Sequence, residues 1–493
     1  MEKLRKFTNK ITDIQRAIAV LNWDQETYMP KKGQGFRAQQ IGTLSGLAHE
    51  IATSKAYEEC LLELKDKQSL SAQDQRNVLL LLKDFEKAKK LPSEFVIRLS
   101  KTTSKAFHAW VEARKANDFK VYEEALTEMV NIQQEKAKIY GYEDHIYNAL
   151  MDDYQPEATV DQIDKIFADV REKLQPLIAK IAKSKQVNDK FMYQHFVKDE
   201  QWNLGIALMK KLGYDMDAGR QDLAEHPFST TFSPGDVRVT TRIDEQNFYD
   251  MLWSCMHECG HALYEQGLLE EQYGLPCGEA VSLGIHESQS RFYENNLGRS
   301  KAFWMHNYKD VVQAFPVQFN DVTLNDFYQA INIVKPSLIR TDADELTYHF
   351  HIMIRYELEK MLIEGSLKVS DVRDAWNEKY KSYLNIDVPS DAKGVLQDIH
   401  WSHGGFGYFP TYSLGSFYAA QFEAKMREDI TAYDEKVGAG NYAEILHWLR
   451  KNIHEHGRFY SSEDLCKQAT GEGLNFKYFM DYAEKKYGEI YSV

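Results

Sequence analysis

Two histidines four residues apart, His257 and His261, flank an acid, Glu258, in the run FYDMLWSCMHECGHALYEQG at 248–267. On a helix, residues at that spacing share a face, so both imidazoles can meet one cation. Zn²⁺ in a catalytic site takes three protein ligands, keeps one position open and lowers the pKa of its water to about 7. Glu258 lies beside such an ion without having to bind it. There it can take the proton of that water and pass it to a leaving amine. A histidine pair on an arbitrary helix more often serves packing. Here the flanking residues are apolar (Met251, Leu252, Trp253, Met256, Ala262, Leu263), as a buried metal helix requires.

A third ligand has to come from further along. Glu265 is one turn on and too far along the same helix, and Glu270 and Glu271 fall where the chain turns. Glu279 and Glu287 lie in the next helical segment, GEAVSLGIHESQSRFYENN at 278–296. Spacing alone does not choose between these two. Cys255 and Cys259 form an alternative thiolate pair, read here as small buried residues on a neighbouring face.

Such ligands need a rigid frame. Most of the chain has helical periodicity, as in QRNVLLLLKDFEKAKK and VYEEALTEMVNIQQEKAKIYG, where apolar residues recur three and four apart. Pro92, Pro156 and GYED at 141–144 mark helix ends. The stretch HPFSTTFSPGDVRVTTRI at 226–243 alternates in period two around Pro234–Gly235, which predicts a hairpin just before the metal helix. No repeat or linker divides the 493 residues, so a single domain is expected: a helical wall or lid over 1–225, and the metal and substrate region over 226–493.

Lys and Arg number 60 against 74 Asp and Glu, a net charge of −14. That argues against nucleic-acid binding, which needs a basic face. No uninterrupted apolar run reaches the ~18 residues of a membrane span. The first residues lack the apolar core of a signal peptide, and five cysteines suggest no disulfide framework. A cytoplasmic enzyme is expected.

The sequence resembles the zinc carboxypeptidase family typified by carboxypeptidase Taq. The resemblance runs from LNWDQETYMP (21–30) to WLRKNIHEHGRFYSSEDLCKQATGEGLN (448–475). It includes HPF (226–228), DVRVT (236–240), HECGH (257–261), HESQ (286–289), IRTDAD (339–344) and GVLQDIHW (394–401). It implies Glu287 as the third ligand, with Glu279 behind it. It also implies cobalt as a substitute for zinc, a homodimer, and a mainly α, gluzincin-type fold with a deep groove and one small β-sheet near the metal helix. Within its motifs, Arg340 and Arg238 become candidates for the substrate's terminal carboxylate, which arginine's planar fork suits. Asp236, Asp342 and Asp344 would hold such arginines or fix loops. The loop HWSHGGFGYFPTY at 400–412 offers His400, His403, Tyr408 and Tyr412. By analogy with other helical metallopeptidases, Tyr408 or Tyr412 would donate to the oxyanion, with His403 nearby. His226 would contact the substrate backbone or lock the chain ahead of Pro227, while His349, His351, His454 and His456 would pack in the core.

The expected activity is removal of single residues from peptide C-termini. Its rivals are an endo-oligopeptidase or dipeptidase on the same scaffold and a peptide-binding module without catalysis.

Overall fold

The structure, a computed structural model, describes all 493 residues. It is mainly helical, with one three-stranded sheet. The helices end where local chemistry ends them. Gly141, at φ 77°, stops the helix Lys120–Tyr140, and Thr159 with Gln162 forms a capping box that starts Val160–Ile181. No helix is long and apolar enough to cross a membrane.

The chain gathers into two compact units, neither of them one stretch of sequence. The first contains 1–88, 187–331 and 418–475; the second contains 89–186, 332–417 and 476–493. The expected division at 225/226 falls inside the first unit.

In the first unit the helix Phe248–Glu265 buries Met251, Leu252, Trp253, Cys255, Met256, Cys259, Ala262 and Leu263. A helix apolar on nearly all sides belongs in a core, and its two histidines occupy the least buried side. The sheet consists of β1 (Gly219–Leu223), β2 (Ser229–Ser233) and β3 (Asp236–Thr241) in the order β1-β3-β2. The expected hairpin is β2–β3, antiparallel, with Thr230 opposite Arg238. β1 adds in parallel; its sequence, GRQDL, has no apolar alternation to announce it. Val237 and Val239 of β3 are fully buried.

In the second unit the helix Tyr348–Glu364 is buried on nearly every side, polar residues included. His349 bonds Ser413 and His351 bonds Tyr380, each at 3.0 Å. Both are core residues, as read from the sequence.

Candidate metal centre and substrate residues

Nε2 of His257 and Nε2 of His261 stand 3.8 and 3.5 Å from Oε2 of Glu287. The three ligand atoms all lie within 4.8 Å of one another. Tetrahedral ligands about 2.0–2.2 Å from a zinc ion are roughly 3.4 Å apart, so the group fits such a cation. Glu265 and Glu279, the other acids weighed, do other work: Glu265 bonds His286 at 2.8 Å and Glu279 pairs with Arg458 at 3.2 Å. Glu279 also precedes the helix, which starts at Leu283 rather than at Gly278. Cys255 turns away from the centre, its Sγ 3.1 Å from Gln221 Oε1, and burial pushes its thiol up to about 12.

Gly260 explains how Glu287 reaches the histidines. A Cβ at this position would stand 2.5 Å from the carbonyl oxygen of Gln289 and 2.6 Å from Cα of Ser290. The helices Phe248–Glu265 and Leu283–Arg291 therefore touch backbone to backbone at HECGH. Gly260→Ala must part them. It should destabilise the protein by about 1–3 kcal/mol and weaken metal binding, as urea unfolding and a metal titration would show. Wild-type stability in both would mean that the contact relaxes freely.

The surroundings suit a cation. Burial opposes charge on Glu287, but Arg291, with Nε 2.7 Å from Oε1, and His257 hold it well below the usual carboxylate range. His257 Nδ1 bonds Glu294 Oε2 at 2.8 Å. Burial alone would lower His257; Glu287 and then Glu294 raise it to about 9. Burial and then His286 lower His261 to about 3, so its ring is neutral, the form that can ligate a metal. The spacing argument missed Glu294 and His286. Glu294 could have been found: Glu287, Arg291 and Glu294 are spaced four and three apart, one helical face. A π-helical turn over Phe292–Leu297 then carries Glu294 towards His257.

Glu258 is 7% exposed. Burial raises its pKa to about 7, against the pull of His257 and the Ser229 hydroxyl. Ser229 begins β2, one of the two edge strands of the sheet. Phe228 accepts from Thr240 N–H at 2.8 Å, so by antiparallel alternation Phe228 and Thr230 face β3, while Ser229 and Thr231 point their backbone groups outward. Arg16 already holds the Thr231 carbonyl at 3.0 Å. A cavity of about 440 Å³ lies along this edge, lined by Arg16, Ser229, Thr231, Glu265, Glu279 and His286 among others.

Arg238 is not an open fork. Asp236 binds its Nε and Nη2, both at 2.9 Å, and the guanidinium lies over the rings of Trp23 (4.6 Å) and Phe232 (4.8 Å). Trp23 belongs to LNWDQETYMP, whose Tyr28 bonds Asp222. The first motif of the chain thus covers this face of the sheet. His226 is exposed just ahead of Pro227 and β2.

In the second unit Arg340 is 8% exposed. Its Nε and Nη2 bind Asp398 at 3.0 and 2.9 Å, and Nη1 bonds Tyr348 at 3.2 Å. The expected two-pronged grip on a carboxylate is therefore already taken by Asp398. Asp398 also receives Arg355 Nε at 2.6 Å. Asp342 lies in the short turn Arg340–Asp342, and Asp344 fixes the next loop by accepting from Leu346 N, Thr347 N and Lys335 N. His400, rather than His403, is the histidine at Tyr412, with Nε2 3.2 Å from the hydroxyl. Tyr408 packs 5.1 Å from Tyr412. His403 is exposed and rests on Phe107. Glu359, fully buried, pins this loop by accepting from Trp401 Nε1 (2.7 Å) and Gly407 N (2.9 Å).

Known proteins bear on this arrangement. The profile of the carboxypeptidase Taq (M32) metallopeptidase family matches residues 3–487. Carboxypeptidase 1 of Bacillus subtilis is 42% identical over 98% of this chain and 97% of its own. The crystal structure of the M32 carboxypeptidase from Deinococcus radiodurans superposes with a TM-score of 0.98 at 37% identity, covering 100% of this chain and 99% of that one. A solved protein named CHT gives 0.97 at 55% identity, covering 99% of each. With its histidines and glutamates gathered for one divalent cation, the chain belongs to the carboxypeptidase Taq (M32) metallopeptidases and is a metallocarboxypeptidase.

Proposed function

We propose that the metal is zinc, with cobalt able to replace it, held by His257, His261 and Glu287, and that the enzyme releases single residues from peptide C-termini. One observation carries this reading: three ligand atoms within 4.8 Å of one another, with the buried Glu258 next to them in sequence. Two imidazoles and one carboxylate are a donor set that zinc favours. The ion, when bound, polarises the scissile carbonyl and makes a neighbouring water more acidic.

The chain's own groups do the rest. Glu258 takes the proton of the attacking water and returns it to the departing amine. The outward backbone N–H and C=O of Ser229 and the N–H of Thr231, whose carbonyl Arg16 holds, align the peptide as an added strand, with His226 at the start of that edge. Arg340, oriented by Asp398, is the first candidate for the terminal carboxylate, through the guanidinium N–H groups that Asp398 and Tyr348 do not take up; Arg238 is the second. Tyr412 and Tyr408 donate to the developing oxyanion, and His400 supports Tyr412. His403 has the weaker claim, given its place on Phe107. The partners are peptides with a free C-terminus and a second copy of the chain, with no nucleic acid or membrane. Five buried free thiols fit a reducing compartment, so we place the enzyme in the cytoplasm.

The test follows peptide products by mass after zinc loading. A short unblocked peptide should yield a ladder losing single C-terminal residues. The same peptide amidated at its C-terminus should stay intact, as should either peptide after chelation. Internal cuts that ignore the amide would defeat this reading.

A further inference from the structure

We propose that His286 and Glu265 are positioning residues that hold His261 in the tautomer and ring orientation a metal ligand needs. The inference rests on the reading of His261 as a ligand through Nε2.

The proton count supports it. His261 Nε2 faces Glu287 Oε2 at 3.5 Å, so a ligating ring carries its hydrogen on Nδ1. That Nδ1 is 2.6 Å from Nδ1 of His286, which must then accept. The hydrogen of His286 is left on Nε2, which donates to Glu265 Oε1 at 2.8 Å. The nearby Thr231 side chain helps to hold the Glu265 carboxyl ionised, and Arg16 fixes the Thr231 carbonyl. With His261 Nε2 kept for the metal, every donor in this row meets an acceptor in one arrangement only. Exchanging the His286 tautomer would put two N–H groups nose to nose and leave the Glu265 carboxylate facing a lone pair.

The helix Phe248–Glu265 cannot set the ring by itself, because the terminal torsion of histidine is broad. The His257 and His261 rings stand at 83° to each other, so each needs its own brace. Glu294 holds His257 directly. For His261 the carboxylate acts through a second imidazole. His286 and Glu287 are neighbours, so one helix supplies both the third ligand and the brace of the second. Such partners typically change metal affinity about 10–100-fold.

His286 also packs against Tyr264, ring to ring at 5.3 Å. His286→Phe keeps a ring there but removes both the Nδ1 acceptor and the Nε2–H donor to Glu265. Zinc and cobalt affinities would be measured by competition with a chromophoric chelator, beside the unfolding temperature of the metal-free protein. The expected result is affinity weakened about 10–100-fold in His286→Phe, whose metal-free form still unfolds cooperatively at a modestly lower temperature because Glu265 has lost a donor, and a smaller affinity loss in Glu265→Ala. Glu265→Gln should recover most of it, because its amide oxygen still accepts. Wild-type affinity in both His286→Phe and Glu265→Ala would overturn the proposal. A lowered unfolding temperature with wild-type affinity would also do so, assigning His286 to packing. If His286→Phe does not fold, unchanged affinity in Glu265→Ala decides against it. His261→Ala separates the two readings: if it keeps wild-type affinity, the ligand assignment itself has failed.

Discussion

Glu258→Gln should lower kcat by about 10²–10⁴-fold while metal content, KM and unfolding temperature stay near wild type. The substitution is nearly isosteric, so the buried space beside His257 is refilled. What disappears is the ability to accept a proton. Burial raises the Glu258 carboxyl to about 7 before a cation is present, and a cation on the adjoining ligands pulls it back towards the ionised form. A carboxylate whose burial offsets part of that pull takes a proton and gives it back with little penalty either way. Glutamine does neither. Steady-state kinetics on one peptide, with metal measured on the same sample, decide the matter. A fall in kcat of under tenfold at equal metal content would remove Glu258 from the chemistry.

Asp398→Ala should cost about 3–5 kcal/mol of stability in urea unfolding. Asp398 is the shared counterion of Arg340 and Arg355. Arg355 is fully buried and its Nη2 already lacks a partner. Burial opposes charge on Asp398, yet the two guanidiniums hold its carboxyl far below the usual range. Removing the acid strands two cations where water cannot solvate them. Activity should fall too, since Arg340 loses what orients it. Asp398→Asn keeps the shape but not the charge and should retain only part of the stability. A loss below about 1 kcal/mol for Asp398→Ala would mean that the arginines find other partners or reach water.

These two residues differ in how visible they are before folding. Glu258 is legible because it and the two histidines lie within five consecutive residues, and a helix turns that spacing into a shared face. The β2–β3 hairpin is legible for the same reason, since period-two alternation around Pro234–Gly235 is local. The helix boundaries at Gly141 and Pro92 are legible on the same local grounds. Asp398, by contrast, stands 58 residues from Arg340 and 43 from Arg355. The long-range spacing did not reveal that both arginines were taken by one acid.

Local periodicity by itself determined the helices, the hairpin, the facing pair His257 and His261, and the acid between them, because each depends on contacts within a few residues. It did not determine which glutamate completes the group. That required two helices to meet at Gly260, where the lack of a side chain lets backbone lie on backbone. Tertiary structure alone also decided that Glu294 and His286 stand behind the histidines. It decided as well that Asp398 occupies the fork of Arg340, and that His400 rather than His403 meets Tyr412. In each case the partners come together only when segments distant along the chain pack, and spacing along the sequence carries no record of that packing.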